Sequence, residues 1–87
     1  MSIKEAMRRL GYRAADTVTG IRGTVISVTF DLDGNVRVYI QPKADKKGKI
    51  EPGRWCNIEM VVAGEELVAV PPKFEWEESV SADPSEA

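Results

Sequence analysis

The residues that most often perform chemistry in proteins are scarce in this chain. There is one cysteine, Cys56, and no histidine, the commonest general base and metal ligand. A cysteine nucleophile needs an activating partner, and the sequence offers no recognisable one, so we interpret Cys56 as an inward-facing core residue. The chain also has no glycine-rich phosphate loop and no Ser–His arrangement. We therefore predict a protein that is not an enzyme, with no catalytic residue, metal or cofactor.

Two carboxylates, Asp31 and Asp33, are close enough in sequence to suggest a divalent-ion loop. The calcium-loop spacing D-x-[DN]-x-[DN]-G fails, because Gly34 follows Asp33 directly and no ligand follows at the far end. Aspartate is also favoured in tight turns. We therefore interpret both residues as turn residues.

Aromatic and basic side chains point to binding instead. Trp55 alternates with Cys56 and Ile58, and Tyr39 alternates with Val38 and Ile40, so both aromatic rings are predicted to face outward. Tyrosine, tryptophan and arginine are enriched at protein interfaces. The candidate partner-binding residues are therefore Tyr39, Arg54, Trp55, Phe74 and Trp76.

Phe74 and Trp76 alternate with Glu75 and Glu77 in an otherwise acidic segment. They either pack onto the folded body or form a short motif that another protein reads. Packing is the favoured interpretation, because two large aromatic side chains are costly to leave in water.

Nucleic-acid binding is the alternative function. Basic groups interleaved with an exposed aromatic ring are typical of single-strand binders. Residues 1–70, however, carry 11 Lys+Arg against 9 Asp+Glu, and residues 71–87 carry 1 against 5, which is a weak basic surface. A third and less favoured hypothesis is a small-nucleotide sponge with its pocket between subunits. The candidate nucleic-acid-binding residues are Arg22, Arg37, Lys43, Lys46, Lys47 and Lys49.

A central hairpin must position these side chains. The runs 23–31 and 36–40 alternate as half-buried strands. A three-residue loop, Leu32-Asp33-Gly34, pairs Phe30 with Val36, Val28 with Val38 and Ile26 with Ile40 on one face. A two-residue loop would set apolar against polar side chains, so the three-residue loop is predicted, with Gly34 left-handed.

The remaining elements are read from shorter signals. Ser2 as N-cap and Glu5 predict a two-turn helix over 3–10 with Ile3, Met7 and Leu10 facing the sheet. Glycines 20 and 23 predict a bend between a short first strand and the second. Lysines dominate a mobile loop over 43–49, Glu51-Pro52-Gly53 predicts a type II turn, and strands are predicted over 55–62 and 67–70 around a turn at 63–66. The predicted core is Ile26, Val28, Phe30, Val36, Val38, Ile40, Ile58 and Met60, capped by Met7 and Leu10.

Length and composition limit the classes of protein that this sequence can form. Eighty-seven residues predict one domain. The absence of a long apolar run or signal-like start predicts no membrane span or export, and the lone cysteine favours a reducing compartment. Five strand-like runs predict a bent antiparallel barrel with a short N-terminal helix over 1–72, followed by an acidic, largely disordered tail over 73–87.

Two stretches carry a resemblance to known proteins. The segment DTVTGIRGTV (16–25), followed by YIQP (39–42) and a downstream tryptophan, resembles small uncharacterised proteins of tailed bacteriophages and prophages over roughly residues 10–70. Those proteins often follow the tryptophan with an aromatic residue and acids, whereas Trp55 precedes Cys56-Asn57. A weaker resemblance is to the KOW element, which contacts RNA or protein. The phage resemblance implies an SH3-like small barrel and no established activity. Our first hypothesis is that such a module binds a host or phage protein, or itself, in the cytoplasm of the host cell.

Overall fold

A computed structural model describes residues 3–72 and shows a mainly β protein with five antiparallel strands in one sheet. The Ser2 cap and the tail, with Phe74 and Trp76, lie outside the described residues. The elements are helix α1 (Ile3–Met7), strands β1 (Tyr12–Asp16), β2 (Arg22–Phe30), β3 (Val36–Gln41), β4 (Arg54–Asn57) and β5 (Val61–Leu67), and a 3₁₀ helix (Ile58–Met60) between β4 and β5.

The strand order is β4-β3-β2-β1-β5, so the last strand returns beside the first and β4 and β5 form the two edges. The predicted closure into a barrel is not observed. Strand β4 is only four residues long and pairs with β3, and the 3₁₀ helix carries the chain across to β5 without a backbone ladder between the two edge strands.

The β2–β3 hairpin has the predicted three-residue loop. The backbone N–H of Asp31 donates to the carbonyl of Asn35 at 2.8 Å, and Gly34 has a φ of 88°. Phe30 lies opposite Val36 and Val28 opposite Val38, as predicted. The left-handed glycine closes the loop without the steric cost that a Cβ would add.

A β-bulge changes the register further along this hairpin. The pairing shifts between Val25 and Ser27, so that Val25, and not Ile26, lies opposite Ile40. Val25 is 1% exposed and Ile26 is 55% exposed, and the prediction that Ile26 is in the core is wrong. A bulge sets two residues against one, and Val25 and Ile26 are both apolar, so alternation did not show which one is buried.

The core differs in membership from the predicted one. Phe30 and Met60 are exposed, which corrects two predictions. Phe30 pairs with Val36, whereas β4 pairs only with residues 37–40 of β3 and does not extend to this position. Met60 lies on the 3₁₀ helix, where strand alternation does not apply. The buried apolar residues are Ala6, Ala14, Val25, Val38, Ile40, Cys56, Ile58 and Val61, with Leu10, Ile21, Val28 and Val36 packed against them.

The helix is shorter than predicted and buries a different residue. It spans Ile3–Met7, and its buried residue is Ala6, whereas Ile3 is exposed and Met7 is half-buried. Turns continue from Arg8 to Gly11, where the N–H of Gly11 donates to the carbonyl of Val25 at 2.8 Å. A short helix needs close docking to persist, and the small side chain of Ala6 permits it.

The C-terminal strands also differ from the predicted ones. The Asn57 side chain accepts a hydrogen bond from the N–H of Glu59 at 3.0 Å, which caps the 3₁₀ helix and ends β4 early. Strand β5 then runs through the predicted turn, with Ala63 opposite Ala14 on β1. Glycine and glutamate usually signal a turn, but here the pairing with β1 outweighs that local signal.

The β1–β2 turn is built around Asp16. Its carboxylate accepts hydrogen bonds from the hydroxyl of Thr19 at 2.6 Å and from the Thr19 N–H at 3.1 Å. Gly20 has a φ of 79°, and the Thr17 hydroxyl donates to the carbonyl of Met60 at 2.8 Å. The DTVTG segment therefore forms the predicted bend and also fastens it to the 3₁₀ helix.

Candidate interaction surface

Tyr39 and Trp55 form a cross-strand aromatic pair on the outer face of the sheet. They lie directly opposite each other on β3 and β4. Their ring centroids are 5.2 Å apart and the rings are inclined at 71°, an edge-to-face arrangement. Trp55 is 48% exposed, in agreement with its predicted outward direction, and Tyr39 is half-buried. The pair leaves much of the indole open to a partner.

The backbone at Gly53 packs against the Tyr39 ring of this pair. A Cβ on Gly53 would lie 2.5 Å from the Tyr39 ring and 2.4 Å from the carbonyl oxygen of Ile40. The φ of Gly53 is not positive, so the predicted type II turn at Glu51-Pro52-Gly53 is wrong. Glycine is required at this position by close approach, which places the Tyr39 ring against the backbone just before β4.

Arg37 extends the same face. It alternates with Val38 and therefore shares its side of β3 with Tyr39, and it lies opposite Asn57 on β4 and Thr29 on β2. Its guanidinium pairs with the Asp31 carboxylate at 3.5 Å, and its side chain remains half exposed. Sequence reasoning did not predict Thr29 or Asn57 as part of this face. Only the strand register shows that they lie opposite Arg37.

Arg54 does not share this face. It lies opposite Ile40, and alternation along β4 places it on the side of Cys56. The hydrogen bond from the Thr19 hydroxyl is the largest of the effects that lower the pKa of Asp16. Burial raises this pKa, and the charge of Arg54 lowers it by a smaller amount. Burial, and then the charge of Asp16, raises the pKa of the Cys56 thiol despite Arg54. Arg54 therefore acts electrostatically on the opposite side of the sheet from the exposed indole.

The lysine-rich segment leaves the sheet at the end of β3. Lys43, Lys46, Lys47 and Lys49 are all exposed. Within it, the Asp45 carboxylate accepts hydrogen bonds from the N–H groups of Lys47 at 2.8 Å and Lys49 at 2.9 Å. The Gln41 amide also donates to the carbonyl of Glu51 at 2.8 Å. The segment between the two strands thus starts at Pro42, three residues after Tyr39, and β4 begins at Arg54, one residue before Trp55.

Arg22 lies at the end of the β2–β3 hairpin where the lysine-rich segment leaves β3, because Thr24, two residues later, pairs with Gln41. It is exposed at the start of β2, opposite Ala15 of β1. The structure therefore brings together Tyr39, Trp55 and Arg37 on one face with the lysine loop at its end. Alternation from Thr24 places Arg22 on the side of Gln41 and Tyr39, whereas Arg54 lies on the other side of the sheet. Phe74 and Trp76 lie outside the described residues.

Comparison with known proteins gives no further assignment. No protein-family model, curated protein or solved structure matches this chain. Within residues 3–72, no group of three or more cysteine, aspartate or glutamate side chains is placed to hold a metal ion. Over the same residues, the one helix is too short to cross a membrane.

Proposed function

We propose that this protein is a non-enzymatic interaction module that binds another protein, or a second copy of itself, through the outer face of β3 and β4. The observation that carries the proposal is the Tyr39–Trp55 pair, whose indole is 48% exposed on an edge strand. A half-exposed tryptophan next to a tyrosine and an arginine is the composition of an interface anchor.

The edge position adds to the argument. β4 is hydrogen-bonded to β3 on one side only, so its other side is the edge of the sheet. Edge strands present backbone N–H and C=O groups that a partner strand can use. An aromatic anchor beside such an edge offers a partner both a side-chain contact and a backbone ladder.

The finer assignment rests on the resemblance of residues 10–70. We propose an SH3-like accessory protein of a tailed phage or prophage, acting in the host cytoplasm. The antiparallel pairing of the last strand, β5, with the first, β1, supports it, although the sheet is open between β4 and β5. Burial raises the pKa of the Cys56 thiol, which disfavours the nucleophilic thiolate.

Trp55→Ala tests this function. We expect association to weaken by about 2 kcal/mol, roughly 30-fold in Kd, as for tryptophan anchors. Sedimentation of the purified protein measures self-association, and affinity capture from host lysate followed by titration of the purified partner measures hetero-association. Leu32→Ala is the matched control, because Leu32 is fully exposed at the tip of the hairpin. Unchanged Kd in Trp55→Ala would move the interface elsewhere.

Nucleic-acid binding remains the second candidate, since Tyr39, Trp55 and Arg37 share a face that ends at the lysine loop. Titration of intrinsic fluorescence with a single-stranded oligonucleotide at several salt concentrations distinguishes the two functions. Binding that weakens steeply with salt and is lost on charge reversal of Lys46 and Lys47 would favour nucleic acid. Nucleotide-dependent thermal shifts would instead favour the small-nucleotide hypothesis.

A further inference from the structure

An apolar groove lies at the opposite edge of the sheet from Trp55. It has a volume of about 390 Å³ and runs between the segment around α1 and strand β5. Its larger apolar lining residues are Leu10, Tyr12, Leu67 and Pro71, and its charged lining residues are Glu5, Arg8 and Arg9. The residues that line it are Glu5, Arg8, Arg9, Leu10, Tyr12, Ala63, Gly64, Leu67 and Pro71.

We propose that this groove binds the chain's own segment Phe74–Glu78, with one of its two aromatic rings in the groove and its glutamates toward the arginines. The ligand class is a short extended peptide in which aromatic and acidic residues alternate. In FEWEE, Phe74 and Trp76 fall on one side of an extended chain and Glu75 and Glu77 on the other.

The segment is close enough to the groove along the chain to bind in it. Pro71 itself lines the groove, and Phe74 follows three residues later, which an extended chain spans in about 10 Å. A tethered segment also has an effective concentration in the millimolar range. The chain's own tail therefore competes strongly with any free peptide of the same chemistry.

The charged lining residues favour this groove over a second, neighbouring groove as the binding site. A second groove of about 290 Å³ lies on the other side of Pro71, and no charged residue lines it. The first groove is lined by two arginines and one glutamate, Glu5, so its charged residues are net basic. Residues 73–78 carry one lysine and three glutamates, so the segment is net acidic. Arg9 also donates to the carbonyl of Val61 at 3.4 Å, which holds its side chain over β5. Opposite charges at a rim favour one docking register over others.

The experiment uses Trp76 as the reporter in the full chain. Because the chain has two tryptophans, Trp55→Phe leaves Trp76 as the sole indole. We expect blue-shifted emission and protection from acrylamide for Trp76. Arg8→Glu should shift the Trp76 emission to the red and remove the protection from acrylamide. The double variant Arg8→Glu/Glu75→Arg should restore the blue-shifted emission and the protection.

Lys46→Glu is the matched control, since it makes the same charge change at an exposed lysine that does not line the groove. Far-UV circular dichroism confirms that each variant is folded, and Glu75→Arg alone tests the contact without altering the sheet or helix. Emission and quenching typical of free tryptophan in the parent would overturn the proposal. Protection that disappears on dilution would also overturn it, because the occupant would then be a second copy.

Discussion

At the scale of single residues, Asp16 has the clearest consequence for stability. Its side chain accepts hydrogen bonds from the hydroxyl and N–H of Thr19, and these bonds lower its pKa from the ordinary 3.8. A carboxylate with a lowered folded pKa stabilises the protein above the unfolded value. That contribution is lost as the pH falls below 3.8 and through the lower folded pKa.

We expect Asp16→Asn to reduce the free energy of unfolding at neutral pH and to flatten its decline in acid. Urea titrations of the parent and variant at a series of pH values measure this difference. Asp33→Asn, at the exposed hairpin tip, is the control. Parallel acid profiles for the parent and Asp16→Asn would contradict the prediction.

Gly53 gives a second prediction at this scale. Gly53→Ala places a Cβ 2.4 Å from the backbone oxygen of Ile40, a contact that a side-chain rotation cannot relieve. We expect a loss of about 1–3 kcal/mol, as for other overpacked sites, with a change in the near-UV dichroism of the Tyr39–Trp55 pair. Gly64→Ala, whose Cβ would find its nearest atom at 3.4 Å, should change both much less.

At the scale of elements, the bulge in β2 determines which apolar side chains stabilise the sheet. Val25 is buried against the core and Ile26, the next residue, is mostly exposed. We expect Val25→Ala to cost about 2 kcal/mol, as for large-to-small core substitutions, and Ile26→Ala to cost less than about 1 kcal/mol. Chemical denaturation measures both, and the reverse order would restore the unbulged register.

At the scale of the whole molecule, our two proposals concern opposite edges of the sheet. We propose that the β4 edge, with Trp55, binds a partner and that the groove beside β5 binds the chain's own tail. We expect a chain that ends at Pro72 to unfold cooperatively, because the buried core of the described residues, 3–72, lies within residues 6–61. If the tail contributes about 1 kcal/mol, the midpoint falls by about 4–8 °C. Differential scanning calorimetry measures it, and a loss of cooperativity would place Phe74 or Trp76 in the core.

The sequence by itself determined the features that depend on neighbouring residues. Alternation predicted β2, β3 and the outward direction of Trp55, and the apolar–polar register selected the three-residue loop at Gly34. Those predictions succeeded because strand period and turn stereochemistry are local constraints. The buried position of Cys56 followed from the same period.

Only the tertiary structure decided the features that depend on distant strands. The bulge at Ile26 required knowledge of which residue Ile40 opposes, and β5 formed through Ala63–Gly64 because β1 was available to pair. Arg54 and Trp55 are adjacent in sequence, yet alternation across β4 separates their side chains between the two faces. The open sheet and the groove beside β5 likewise depend on how a four-residue edge strand and a single 3₁₀ turn place the chain in space, because non-local pairing overrides local propensity.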